Sequence, residues 1–192
     1  MSTTSFVPAR VLGDLLPGGL VRDGALVLGG AGLVGLFAQL SVSLPFTPVP
    51  ITGQTFAVLL VGATLGTVRG VLSMMVYAMA GIAGVPWFAD HSSGVALASF
   101  GYIVGFIVAA GVVGRLAERG ATRTPLRTAA IMVVGSLVIY AFGVTWLKIS
   151  LGVIWSVAIA LGLTPFLLGD AVKVALAAGL FPITWRLVQR RS

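Results

Sequence analysis

Two ionisable residues, Asp170 and Lys173, stand three positions apart inside the apolar stretch LTPFLLGDAVKVALAAG. On a helix that spacing points both side chains to nearly the same face. Ionisable groups at membrane depth are costly unless they pair with one another or face a polar cavity. Two kinds of chemistry follow: a self-neutralising structural ion pair, or a binding site in which Lys173 meets a ligand carboxylate while Asp170 accepts from N–H groups. The sequence argues for the second, because Lys173 is the only cation it places within the outer half of an apolar segment. Thr164 is suited to cap this helix and Pro165 to occupy its first position. Lys173 would then lie roughly 13 Å along the axis from the cap.

Two connections are rich enough to complete such a site. In LPFTPVPITGQT, Pro45, Pro48 and Pro50 remove three backbone donors and hold the segment 44–53 extended. Irregular backbone at membrane depth is tolerated only where it is buried in protein or lines a cavity. The segment therefore reads either as a stiff outer rim, with Thr47, Thr52, Gln54 and Thr55 as its polar groups, or as a rigid exposed connector. In GVPWFADHSSG, Trp87 and Phe88 precede Asp90 and His91. Flat apolar rings beside a carboxylate suit a small amphipathic ligand, and aromatics at this level also serve as interface anchors.

Enzyme chemistry finds no foothold. His91 is the only histidine and cysteine is absent, so no metal site is recognisable and no cofactor is expected. There is no phosphate loop ending in Lys-Ser or Lys-Thr, no His-Glu-x-x-His, and no serine beside a histidine and an acid. Catalytic residues are not expected, and any nucleotide-driven work must come from other subunits.

The elements that position these residues are membrane helices. Of 192 residues, 58% are hydrophobic and 9% charged, too little polar surface to cover a soluble domain. Apolar runs fall at 24–43, 54–66, 69–84, 97–117, 126–147 and 164–186, with a shorter stretch at 150–162 that suits a partly inserted helix. A span takes about 20 residues. The second and third runs are short and separated only by the tight turn GTVRG, so they read as two thin spans. The result is an all-α integral membrane protein of six transmembrane helices: a cytoplasmic lead-in at 1–23 and one membrane domain at 24–192.

Charge placement supports an even count. The net charge of +7 is not spread as a nucleic-acid-binding stripe. With the N-terminus inside, Arg10, Arg22, Arg69, Arg115, Arg119, Arg123, Arg127, Arg186, Arg190 and Arg191 are all cytoplasmic, and only Lys148 and Lys173 fall outside, as the positive-inside rule requires. The main cytoplasmic loop is then the Arg-rich 115–127, which reads first as a topology anchor and only second as a lipid-headgroup or partner contact. Small residues supply the helix packing. Gly66, Gly70, Ser73, Tyr77, Gly81 and Gly84 line one face of the third span, and Gly101 with Gly105 forms a GxxxG pair. Ala25 with Gly29 and Ala31 with Gly35 give the first helix two pairs in a row, the pattern most suited to a partner protein.

The stretches at 44–89, GYIVGF at 101–106 and TPFLLGDAVKVALAAG at 164–179 resemble the BioY family, the biotin-specific substrate-binding (S) components of energy-coupling-factor transporters. The resemblance implies six membrane helices in the S-component fold, and biotin captured near the outer surface. The implied location is the cytoplasmic membrane of a prokaryote, with both termini inside. It implies a transmembrane coupling subunit and two ATPases as partners, the coupling subunit docking on the small residues of the first helix. It also places Asp170 and Lys173 in the biotin site, with Tyr102 and the Pro-rich connection close by. Lys173 would then bind the valerate carboxylate, Asp170 the ureido N–H groups, and Trp87, Phe88 and Tyr102 the ring system. The chain has no asparagine to meet the ureido ring, which leaves Asp90, Ser99 or Gln54 for that role. Two other readings are an S component for a different vitamin and a membrane enzyme acting on lipid head groups. For the second, Glu118 stands alone among arginines.

Overall fold

The computed structural model describes residues 11–190; residues 1–10, with Arg10, and residues 191–192, with Arg191, lie outside the described residues. The chain is mostly helical. Helix α1 (Leu20–Ala38) leads into a two-stranded antiparallel ladder, β1 (Ser41–Val42) against β2 (Ile51–Thr52). There follow α2 (Gln54–Ile82), α3 (Phe100–Glu118), α4 (Pro125–Leu151), α5 (Trp155–Gly162) and α6 (Leu167–Gln189). Helix α3 packs between α2 and α4, α1 lies against α2, and α6 lies chiefly against α4. Five segments are long and apolar enough to cross a membrane: α1, α2, α3, α4 and the stretch Trp155–Gln189. Large apolar side chains such as Leu20, Leu126 and Leu168 face outward, as lipid-facing positions should.

The second and third apolar runs form one helical element that reverses at a single residue. Gly66 has φ 82° and ψ −175°, a conformation open to glycine because it lacks a Cβ. Beyond it the chain folds back on itself. A Cβ on Gly70 would lie 3.2 Å from the Gly62 Cα, whereas eight residues along a straight helix separate two Cα atoms by roughly 12 Å. Gln54 Nε2 likewise donates to Tyr77 Oη across 23 positions of sequence. The arms 54–65 and 67–82 are thus antiparallel, and the turn is tighter than the five-residue GTVRG reading. Glu118, at the end of α3, accepts a hydrogen bond from the Thr67 N–H at 2.7 Å, and so caps the second arm from another helix.

Most of the small residues do the packing that the sequence assigned to them; Gly84 does not, lying exposed beyond the end of α2 with nothing within 4 Å of where its Cβ would be. Gly70, Ser73, Tyr77 and Gly81 form one buried face of the second arm. Gly101 and Gly105 bring α3 against Trp146 and Ile139 of α4. Basic residues gather at one end of the bundle. There Arg69 pairs with Asp14 and lies 3.8 Å from Asp23, Arg123 sits over the Trp185 ring, and Trp185 Nε1 donates to Thr122 Oγ1. The opposite end holds the β1–β2 ladder, the 83–99 connection and the α5–α6 junction.

Several boundaries differ from expectation, and α1 begins at Leu20, inside the expected lead-in at 1–23. Helix α1 stops at Ala38, because the following residues turn into the ladder. The last helix starts at Leu167, since Thr164–Phe166 form a 3-10 turn in which Thr164 Oγ1 donates to Ile159 O and makes no cap. Lys173 therefore lies roughly 9 Å into α6. The short stretch before it becomes α5, an eight-residue helix with Ala158 and Gly162 buried.

Candidate functional site

A cavity of about 540 Å³ of empty space, counting its open mouth, lies between α2, α3, α4 and α6 beneath the 44–53 and 83–99 connections. Each wall follows from the local sequence. The prolines hold the 44–53 connection extended, and Val49 and Pro50 form one side. That connection is fixed by Thr47, whose hydroxyl donates to Leu161 O at 2.8 Å and accepts from the Val49 N–H. Phe88, from the 83–99 connection, forms another side, 1% exposed and edge-on to Tyr77. A Cβ on Gly81 would overlap the Phe88 ring, so a glycine is required beneath it. From α3 come Tyr102, Ile103 and Phe106, and Phe166 lies at the start of α6.

The polar end is built around Asp170 and Lys173, which form an ion pair at 3.1 Å. Lys173 Nζ also donates to Thr55 Oγ1 at 2.7 Å and to Thr52 O at 3.2 Å. An ammonium has three donors, so the protein itself engages all of them. Asp170 is different. Its Oδ2 accepts from the Tyr140 hydroxyl and its Oδ1 from Lys173, whereas a carboxylate offers about four acceptor positions. Asp170 is buried yet lines the cavity. The unused capacity at the pair is therefore an acceptor, held by Lys173 and aimed by Tyr140.

Of the residues singled out from the sequence, Asp170, Lys173, Tyr102, Phe88, Gln54 and Ser99 line this cavity together. Trp87 and Asp90 do not. The Trp87 indole turns toward α1, packs on Gly35, and donates to Tyr77 O at 2.9 Å. The Asp90 carboxylate faces outward, accepting from Ser41 Oγ and from Ser43 Oγ, the latter at 2.9 Å. Tyr102 has a second task, since its hydroxyl donates to Gly162 O at 2.6 Å and ties α5 to α3. The two small-residue pairs of α1 also separate. Ala31 and Gly35 are buried inside the chain, whereas Ala25 and Gly29 are exposed along a groove with Leu33, Leu60 and Thr64. Among the described residues no cluster of His, Cys, Asp and Glu able to hold a metal ion occurs.

Sequence reasoning missed Tyr140 and gave Thr55 only a place on the rim. A signal for Tyr140 existed: a hydroxyl at mid-length in the apolar α4, away from the helix ends where interfacial tyrosines collect.

Comparison with known proteins gives the same fold and more. The crystal structure at 2.1 Å of the S-component for biotin from an ECF-type ABC transporter superposes with a TM-score of 0.78, covering 86% of this chain and 92% of that one at 19% identity. The biotin transporter BioY2 of Lactococcus lactis is 34% identical, over 79% of this chain and 83% of its own length. The biotin transporter BioY of Rhizobium etli is also 34% identical, over 71% and 78%. The BioY family pattern matches residues 4–190, and the chain belongs to the BioY family.

Proposed function

We propose that this protein captures biotin for uptake across the cytoplasmic membrane, as the substrate-binding subunit of an energy-coupling-factor transporter and not as an enzyme. The observation that carries the reading is an apolar cavity with a buried carboxylate whose acceptor capacity is incompletely used. Biotin has a compact, cis-fused bicycle that carries a ureido group with two N–H donors, and such a group matches what Asp170 offers. Lys173 pairs with Asp170 and holds it in place. With all three of its donors engaged, it would have to release Thr52 O or Thr55 to bind the valerate carboxylate directly. Phe88, Ile103, Phe106 and Phe166 would enclose the ring system, with Gln54 and Ser99 as further polar contacts.

Six membrane passes with both termini cytoplasmic are part of the same proposal. The reversal at Gly66 supports it by making α2 two antiparallel arms, of roughly 18 and 24 Å. The arginines at one end of the bundle support the orientation. The exposed Ala25 and Gly29 would dock a transmembrane coupling subunit, which in turn engages two ATPases.

The test is titration of the purified protein with biotin alongside a panel of other vitamins. Saturable binding of biotin and not of the others supports the reading, and preference for another vitamin replaces biotin with it.

A further inference from the structure

Gln39, the residue that ends α1, is tied to the cavity wall by hydrogen bonds that the sequence does not advertise. Its Nε2 lies 3.1 Å from Trp87 O and 3.2 Å from Phe88 O, and also 3.2 Å from Gly35 O of its own helix. The Trp87 carbonyl has a second donor, the Tyr77 hydroxyl at 3.2 Å. Tyr77 in turn accepts from Gln54, which lines the cavity. A continuous chain of hydrogen bonds thus runs from Gln54 through Tyr77 and the Trp87 carbonyl to Gln39. It crosses from the cavity to α1, the helix whose outward face carries Ala25 and Gly29. Packing follows the same path. Trp87 rests on Gly35 with its ring 5.1 Å from Tyr77, and Phe88 closes the cavity 5.3 Å from the same ring.

We infer that Gln39 is a positioning residue for the binding cavity: by holding the Trp87 and Phe88 carbonyls it fixes the Phe88 wall to α1, and so sets how long a bound ligand is retained. The connection 83–99 has no regular ladder to hold it. Its 3-10 turn Ala89–His91 includes two consecutive non-glycine residues in the left-handed region, Asp90 at φ 56° and His91 at φ 54°, a conformation that persists only where surrounding contacts enforce it. Gln39 supplies such contacts on the side facing α1. Loss of its amide leaves two buried carbonyls one donor short, which loosens the Phe88 wall without altering any group that touches the ligand. The consequence falls on the dissociation rate, because a mobile wall lets ligand out while the polar groups that recognise it stay in place.

This inference rests on biotin being the ligand, and the experiment separates the two. Dissociation of labelled biotin from the wild-type protein in detergent is compared with Gln39→Leu and with Tyr77→Phe, which removes the other donor to the Trp87 carbonyl. Gln39→Leu is expected to release biotin on the order of tenfold faster, with the association rate of the folded protein within about twofold of wild type. Gln39→Met, which likewise removes the amide, serves as the reporter should Gln39→Leu not fold, and Tyr77→Phe is expected to quicken release as well while also depriving Gln54 Nε2 of its partner. Release at the wild-type rate in the folded variant or variants overturns the inference. So does a loss of binding accounted for wholly by a lower folded fraction. Absence of biotin binding by the wild-type protein overturns instead the reading on which the inference rests.

Discussion

The Tyr140 hydroxyl on α4 donates to Asp170 Oδ2 on α6, while Lys173, one turn along the same helix, holds Oδ1 at 3.1 Å. The carboxylate is thus gripped from two helices with its remaining acceptor positions available to the cavity. Tyr140→Phe removes one grip and leaves the volume intact. Biotin affinity should fall about tenfold, or ~1.4 kcal/mol, the scale of one hydrogen bond to a charged group. Titration calorimetry on the purified variant measures it, and unchanged affinity would separate Tyr140 from the site.

Lys173→Met leaves Asp170 without its cation in a largely buried position. Breaking such a pair from one side should lower stability by about 3 kcal/mol and weaken ligand binding. The double variant Asp170→Leu/Lys173→Met removes both charges and should recover most of that stability while binding no biotin. Thermal unfolding in detergent gives the comparison. A single variant as stable as wild type would mean that water, and not Lys173, satisfies the carboxylate.

At the other end of the bundle the reversal depends on Gly66. Alanine there must adopt φ 82°, and its Cβ would press on the Glu118 carboxylate that caps Thr67. Gly66→Ala should destabilise the protein by about 1–3 kcal/mol from the backbone alone, because this φ/ψ combination is essentially confined to glycine. Its melting temperature in detergent should drop accordingly. A variant that melts like wild type would argue against a sharp turn at this residue.

The two small-residue pairs of α1 should respond differently to bulk. Gly35→Leu forces a side chain into Trp87 and should unfold the protein or abolish its ligand binding. Gly29→Leu meets open space and should leave biotin binding unchanged, while preventing co-purification with a coupling subunit and biotin uptake by the assembled transporter. Normal uptake in Gly29→Leu would move the docking face elsewhere.

Much of this arrangement is legible in the sequence for physical reasons. Asp170 and Lys173 stood out because charge inside an apolar run needs a partner, and helical spacing supplied one. The thin pair of arms was visible because GTVRG interrupts two short apolar runs. Side-chain direction in the 83–99 connection was not legible. Trp87, Phe88 and Asp90 are near neighbours in the chain, yet only Phe88 faces the cavity. Trp87 is drawn to the space above Gly35, and Asp90 to two serines of the preceding connection. The same limit hid the difference between Ala31–Gly35 and Ala25–Gly29. Both pairs satisfy one spacing rule, and only packing against α2 and Trp87 decides which of them is covered. Tyr140 escaped notice because its role exists only when α4 and α6 are brought side by side.

The central claim is that Asp170 recognises biotin inside this cavity, and Asp170→Asn tests it most directly because size and shape are kept while the charge is lost. Calorimetric titration of the folded variant with biotin should show affinity on the order of a hundredfold below wild type, about 2.7 kcal/mol, consistent with weakened hydrogen bonds to a charged acceptor. Biotin bound by Asp170→Asn as tightly as by the wild-type protein would contradict the account.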